Sequence, residues 1–218
     1  KGYKPMSLNT SNIITIERNH IQPMSSVKFE AEVRTIANNE IWYVATQKIN
    51  NPSWSFDTFG VNILSNEWDN VTGEGIITFD NDVVYIGDNA FGSELNLTAI
   101  TLPNSINKIG SGAFWGARIS NITIPKSVKT IGSMAFGYSL LETITFEANS
   151  ELETIDSGVF SYCRHLTHIT IPSSVQFIGD CVFGGCEKLA EILSNGEKFV
   201  NNIGGLLCEH NTSPYKVV

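Results

Sequence analysis

Lysine and arginine are scarce in this chain: 14 of them stand against 22 aspartates and glutamates, a formal net charge of −8. Phosphate backbones and anionic bilayers are recognised by clustered cations, so this balance argues against nucleic acid and against an anionic membrane surface as partners. Long apolar runs are missing as well. None approaches about 18 residues, so no helical membrane span and no direct membrane insertion is expected. The four cysteines include no Cys-x-x-Cys pair, which removes the basis for a zinc site or a redox dithiol. His20, His165, His168 and His210 are scattered and bring no third or fourth ligand, so no metal is expected. There is no Gly-x-Ser-x-Gly elbow and no glycine-rich phosphate loop. Glu142, Glu151 and Glu153 have no apolar pocket in sight that would raise a carboxylate for general acid work. The sequence therefore nominates no catalytic residue and no cofactor. Apolar mass is not lacking: hydrophobic residues make up 42% and charged residues 17%, the balance of an ordered, folded chain.

The middle of the chain repeats one phrase five times. Its copies are Ile77-Thr78-Phe79 with Ile86-Gly87 and Ala90-Phe91, Ile100-Thr101-Leu102 with Ile109-Gly110 and Ala113-Phe114, then Ile122-Thr123-Ile124 with Ile131-Gly132 and Ala135-Phe136. Two more follow: Ile144-Thr145-Phe146 with Ile155-Asp156 and Val159-Phe160, and Ile169-Thr170-Ile171 with Ile178-Gly179 and Val182-Phe183. The phenylalanines at 91, 114, 136, 160 and 183 are 23, 22, 24 and 23 residues apart. A period in this range marks a solenoid, whose units bury their apolar face only by stacking.

Each copy opens on alternating apolar, β-branched residues, the pattern of a short strand. Pro103, Pro125 and Pro172 end that strand, because proline cannot donate to a ladder. Successive strands are expected to stack at about 4.8 Å as a parallel sheet, with one row inward and the threonines outward. A second apolar pair (Ile106/Ile109, Val128/Ile131, Leu152/Ile155, Val175/Ile178) also points inward. The glycine after it is expected to free the turn from a Cβ penalty, with Asp156 substituting in the fourth copy. Phenylalanine then plugs the space between layers. The fourth copy carries two extra residues after Phe146, an insertion expected to be tolerated as a loop. Three residues past each plug stand Ala117, Ser139, Cys163 and Cys186, a small-residue column. The two cysteines there are either inert buried thiols or a bridge between neighbouring coils, if their Cα atoms come within about 7 Å.

These motifs resemble the BspA-like leucine-rich repeats of bacterial surface proteins, and the resemblance covers residues 74–193. It implies extracellular adhesion modules that bind host or partner proteins and perform no catalysis. A start at Lys1 without Met reads separately as a processed chain from which a signal or lipid anchor has been removed. The expected architecture is an all-β-dominated, right-handed leucine-rich-repeat solenoid in which short turns of helix are allowed. Residues 1–73 are read as an N-terminal β cap, because an open solenoid end exposes a sheet edge and core. Strands are expected at 14–17, 27–34 and 41–46, and a hairpin at 61–68 and 75–79. The aromatic loop 47–60 is expected to pin onto the first coil. Residues 74–193 form the solenoid, with a partial sixth repeat at 189–193. Residues 194–218 read as a C-terminal β cap or truncated repeat.

Two surfaces remain as candidates for an extracellular protein partner. One is the outward strand row Thr98, Thr101, Asn121, Thr123, Thr143, Thr145, His168 and Thr170. The other is an aromatic edge, Trp115, Tyr138 and Tyr162, since Trp and Tyr dominate interface hot spots; the alternative for these rings is packing against the next coil's turn. A glycan is a second candidate partner, through the N-terminal aromatics Trp42, Trp54 and Trp68. A spacer in a larger envelope protein is a third possibility.

Overall fold

A computed structural model describes residues 36–51, 54–194 and 216–217. The strands expected at 14–17 and 27–34, most of the C-terminal segment 194–218, and His20 and His210 lie outside the described residues.

The first strand, β1 (Glu40–Ala45), alternates half-buried and buried side chains, as its period-two pattern demands. A single helical turn follows, α1 (Phe56–Phe59). The expected hairpin is present as β2 (Ile63–Trp68) and β3 (Glu74–Phe79), paired antiparallel. Its turn is closed by the Asp69 side chain, which accepts the Val71 N–H at 2.7 Å. The coils then alternate longer and two-residue strands: β4 (Tyr85–Ile86), β5 (Leu97–Thr101), β6 (Lys108–Ile109), β7 (Asn121–Ile124) and β8 (Thr130–Ile131). They continue with β9 (Thr143–Phe146), β10 (Thr154–Ile155), β11 (His168–Ile171), β12 (Phe177–Ile178), β13 (Glu191–Ser194) and β14 (Lys216–Val217).

Two columns of hydrogen bonds run from coil to coil. The second apolar pair belongs to a continuous five-stranded parallel sheet, β4-β6-β8-β10-β12, in which Ile86, Ile109, Ile131, Ile155 and Ile178 are in register. The plug segment forms another ladder: Phe91, Phe114, Phe136 and Phe160 each donate their N–H to the next coil, to the carbonyls of Ala113, Ala135, Val159 and Val182. The residues two before and two after these four plugs donate the same way. They sit in the left-handed region, at Asn89/Ser93, Gly112/Gly116, Met134/Tyr138 and Gly158/Tyr162, and Cys181/Gly185 share that conformation. Alternating hand aims every second N–H at the neighbouring coil, and this explains why side chains as unlike as Asn, Met and Tyr occupy such positions.

The open-face strands depart from the expected single parallel stack. β1 inserts between β3 and β5, antiparallel to both, giving the order β2-β3-β1-β5. β7 pairs only with β9, and β11 with β13, as separate groups. An antiparallel strand from the preceding segment satisfies the edge that β5 would otherwise expose.

The core is one cluster running the length of the coils. Its axis is the plug column: Phe91, Phe114, Phe136, Phe160 and Phe183 stack at 5.4, 5.2, 5.8 and 5.6 Å, all within 1% of full burial. At the N-terminal end the column is closed by Phe59 and Trp54, whose rings lie 6.0 and 5.5 Å from that of Phe91. Trp54 also donates its indole N–H to the Ala90 carbonyl at 2.6 Å. The aromatic loop is thus pinned to the first coil, as its composition predicts.

The repeat glycine acts otherwise than expected. Gly87, Gly110, Gly132 and Gly179 have ordinary negative-φ backbone. An added Cβ at Gly110 would fall 2.7 Å from the Asp88 nitrogen, and at Gly179 2.4 Å from that of Ser157. The requirement is close approach of one coil's backbone to the previous one. Where Asp156 stands instead, Phe136 and Phe160 are 5.8 Å apart, the widest step of the column.

Candidate functional site

The column of small residues resolves the two cysteines. Cys163 and Cys186 are buried free thiols, not a bridge, and each Sγ donates to the plug carbonyl of the preceding coil, Phe136 and Phe160, at 3.0 Å. Burial pushes the Cys163 thiol up to about 12 and raises Cys186 as well. A thiol held neutral this firmly is a poor nucleophile and a poor metal ligand. Cys181 is disulfide-bonded.

The threonine face divides. Asn121, Thr123, Thr143 and Thr145 are exposed side by side on β7 and β9, with Thr123 in register with Thr145. His168 and Thr170 are exposed on β11. Thr98 and Thr101 are set apart: both are half-buried in the sheet with β1, Thr98 donating its hydroxyl to the Val44 carbonyl at 3.1 Å and Thr101 lying opposite Trp42.

Trp115, Tyr138 and Tyr162 do form a line. Their rings touch in sequence, Trp115 edge-on to Tyr138 at 5.7 Å and Tyr138 stacked on Tyr162 at 4.5 Å. The rings also rest on the next coil: a Cβ added to Gly185 would fall 2.6 Å from Tyr162 Cδ1, and one at Gly137 3.3 Å from Trp115 Cδ1. Packing on the following turn therefore accounts for part of each ring, yet 41, 47 and 38% of the three side chains' residues stay exposed.

Of the N-terminal tryptophans, Trp54 and Trp68 are half-buried against the core. Trp68 donates its indole N–H to the Gly73 carbonyl at 3.1 Å, as Trp54 does to Ala90. Their polar edges are engaged inside the protein rather than offered to a ligand.

The sequence reading passed over a groove of about 400 Å³ between β9 and β11, lined by Phe146, Glu147, Asn149, Thr145, Thr170 and their neighbours. The two-residue insertion builds it. Asn149 takes the left-handed turn at φ 58, and Glu147 accepts the Lys126 N–H at 2.9 Å through Oε2. Phe146 stays half-buried, whereas Leu102, Ile124 and Ile171 at the matching positions are buried. The signal was available in the missing proline: Glu147 stands where the second, third and fifth copies end their strands on Pro103, Pro125 and Pro172.

Residues 67–190 match the BspA type leucine rich repeat region, in six copies. This match covers more than half of the chain, which therefore belongs to that leucine-rich-repeat family. Among solved structures, the Treponema pallidum leucine-rich repeat protein is 28% identical, aligned over 52% of this chain and 53% of that one, with a TM-score of 0.46. A leucine-rich cell surface protein from Faecalibacterium prausnitzii is 27% identical over 50% of this chain and 38% of its own, TM-score 0.35. The pneumococcal vaccine antigen PcpA is 24% identical over 42% of this chain and 23% of its own, TM-score 0.40. The chain thus spans about a quarter to a half of these proteins. No curated protein matches it.

Proposed function

We propose that this chain is a non-enzymatic bacterial adhesion module, secreted or displayed at the cell surface, that binds an extracellular protein through the Trp115–Tyr138–Tyr162 edge. The observation that carries the reading is the line of three exposed rings in mutual contact, Trp115 on Tyr138 and Tyr138 on Tyr162. Tyr and Trp are the residues that anchor protein interfaces. Membership of the BspA-type family supports the extracellular setting. The exposed threonines Thr123, Thr145 and Thr170 offer an uncharged surface beside this contact or in place of it.

The test uses the double variant Tyr138→Gly/Tyr162→Gly, in which glycine keeps the backbone and removes the rings. Wild-type chain is titrated against purified extracellular matrix and bacterial envelope proteins by biolayer interferometry. At least one is expected to bind, and the folded double variant to lose tenfold or more, roughly one good hot-spot residue. Binding that survives in this variant but fails in Thr123→Glu/Thr145→Glu/Thr170→Glu moves the site to the threonine face. Binding to no protein in the panel, or binding indifferent to both variants, rejects the reading.

A further inference from the structure

Several features coincide at the fourth coil. β9 and β11 lie next to each other without a shared ladder, as β5 and β7 do. The serine that should clasp the preceding coil also loses its acceptor. Ser105 and Ser127 donate to the carbonyls of Val83 and Ile106 at 2.6 and 2.7 Å, while the buried hydroxyl of Ser174 has no partner. The opening there is lined by Phe146 and by hydroxyl, amide, imidazole and carboxylate groups.

We propose that this groove binds a neutral saccharide. Its volume falls in the range of small-ligand pockets, about 300–1,000 Å³. A sugar presents an apolar C–H face and a ring of hydroxyls that both donate and accept. The groove answers each: Phe146 supplies the apolar platform, and Thr145, Thr170, Asn149 and Glu147 supply a mixed set of donors and acceptors. No lysine or arginine lines it, and Glu147 repels anions, so phosphorylated, sulfated and carboxylated ligands are disfavoured. The lining is predominantly polar, which suits a sugar better than the aromatic and aliphatic anchors that dominate protein contacts. The inference does not depend on the aromatic edge.

The whole chain is applied to an array of neutral and acidic oligosaccharides, and hits are titrated by calorimetry. Three variants preserve the local fold: Phe146→Leu copies Leu102 of the second coil, Asn149→Gly keeps the left-handed turn, and Thr170→Ala trims an exposed hydroxyl. Neutral oligosaccharides are expected to bind, and each variant to weaken them by about fivefold or more, the worth of one hydrogen bond or ring contact. Tyr138→Gly/Tyr162→Gly should leave saccharide binding unchanged, which separates this site from the protein-binding edge. An array without neutral hits, a preference for acidic glycans, or affinities untouched by all three variants would overturn the assignment. So would a peptide from a display library that binds in place of any sugar and responds to the same variants.

Discussion

Replacing Gly132 distinguishes two physical roles that glycine can play in this coil. The residue has no left-handed φ to relieve. An ideal Cβ built on it would meet the Ser111 nitrogen at 2.7 Å and the Gly110 carbonyl carbon at 2.9 Å. Both atoms are backbone, so no rotamer change makes room, and the third coil must move away from the second. That displacement works against the ladder in which Thr130 and Ile131 pair with Lys108 and Ile109. Overpacking of this kind costs about 1–3 kcal/mol, and an obstruction made of backbone places Gly132→Ala in the upper half of that range. For a domain of this size each kcal/mol lowers Tm by about 2–4 °C. A loss of 2–3 kcal/mol therefore lowers it by roughly 4–12 °C.

The diagnostic partner is Gly132→Asn. Asparagine tolerates left-handed backbone better than other side chains, so it would rescue the alanine variant if backbone hand were the constraint. Close approach makes it no better than alanine, because its Cβ meets the same atoms. Thermal melts followed by circular dichroism, with urea titrations for the free energy, decide the matter. An asparagine variant that melts with the wild type would refute the close-approach argument, and an alanine variant that does so would refute it equally.

Removing one interior ring, Phe136→Ala, should destabilise the chain by about 3–5 kcal/mol in urea titrations, because Phe136 stacks on both Phe114 and Phe160. Trp54→Ala uncovers Phe91 at the end of the column and should fall at the low end of that roughly 3–5 kcal/mol range, Trp54 being half-buried. Cys163 and Cys186 should resist a disulfide reagent at pH 8 in the native protein and react only as it unfolds; prompt labelling would show that the column opens. Cys163 also links stability to pH. Below about pH 8.5 its thiol is protonated in both states, and above that the unfolded chain releases a proton which the native thiol keeps up to about 12. Stability should therefore fall by roughly 1.4 kcal/mol per pH unit in that window, and Cys163→Ala should remove this contribution from the alkaline slope.

What could be read from residues alone is whatever each coil must satisfy by itself. The plug phenylalanines, the inward isoleucines and the column Ala117, Ser139, Cys163, Cys186 are buried because a short coil has no other means of filling its interior. Relations between coils were less legible. Gly110 and Gly132 carry the same residue a turn would require, so their identity could not separate backbone hand from crowding by the coil beneath. The left-handed positions Asn89, Met134 and Tyr138 show no common residue type, because their conformation is imposed by hydrogen bonds to the next coil. The insertion of β1 between β3 and β5 was also hidden, since antiparallel pairing across more than fifty residues leaves no local period to detect.

The same division governs where function can be sought. Inside the coil the repeat dictates side-chain type, so the interior columns are uninformative about partners. Freedom lies in the positions that the repeat leaves unspecified, and there the chain departs from its own pattern. Tyrosine replaces glycine under an exposed ring at 138 and 162, and glutamate replaces the strand-ending proline at 147. Each departure gives up local regularity: a left-handed side chain in one case, a serine hydrogen bond in the other. Glycine at 116 and 185 and proline at 103, 125 and 172 show that the coil accommodates those residues at the same places. The two departures are therefore the places where partners are to be looked for.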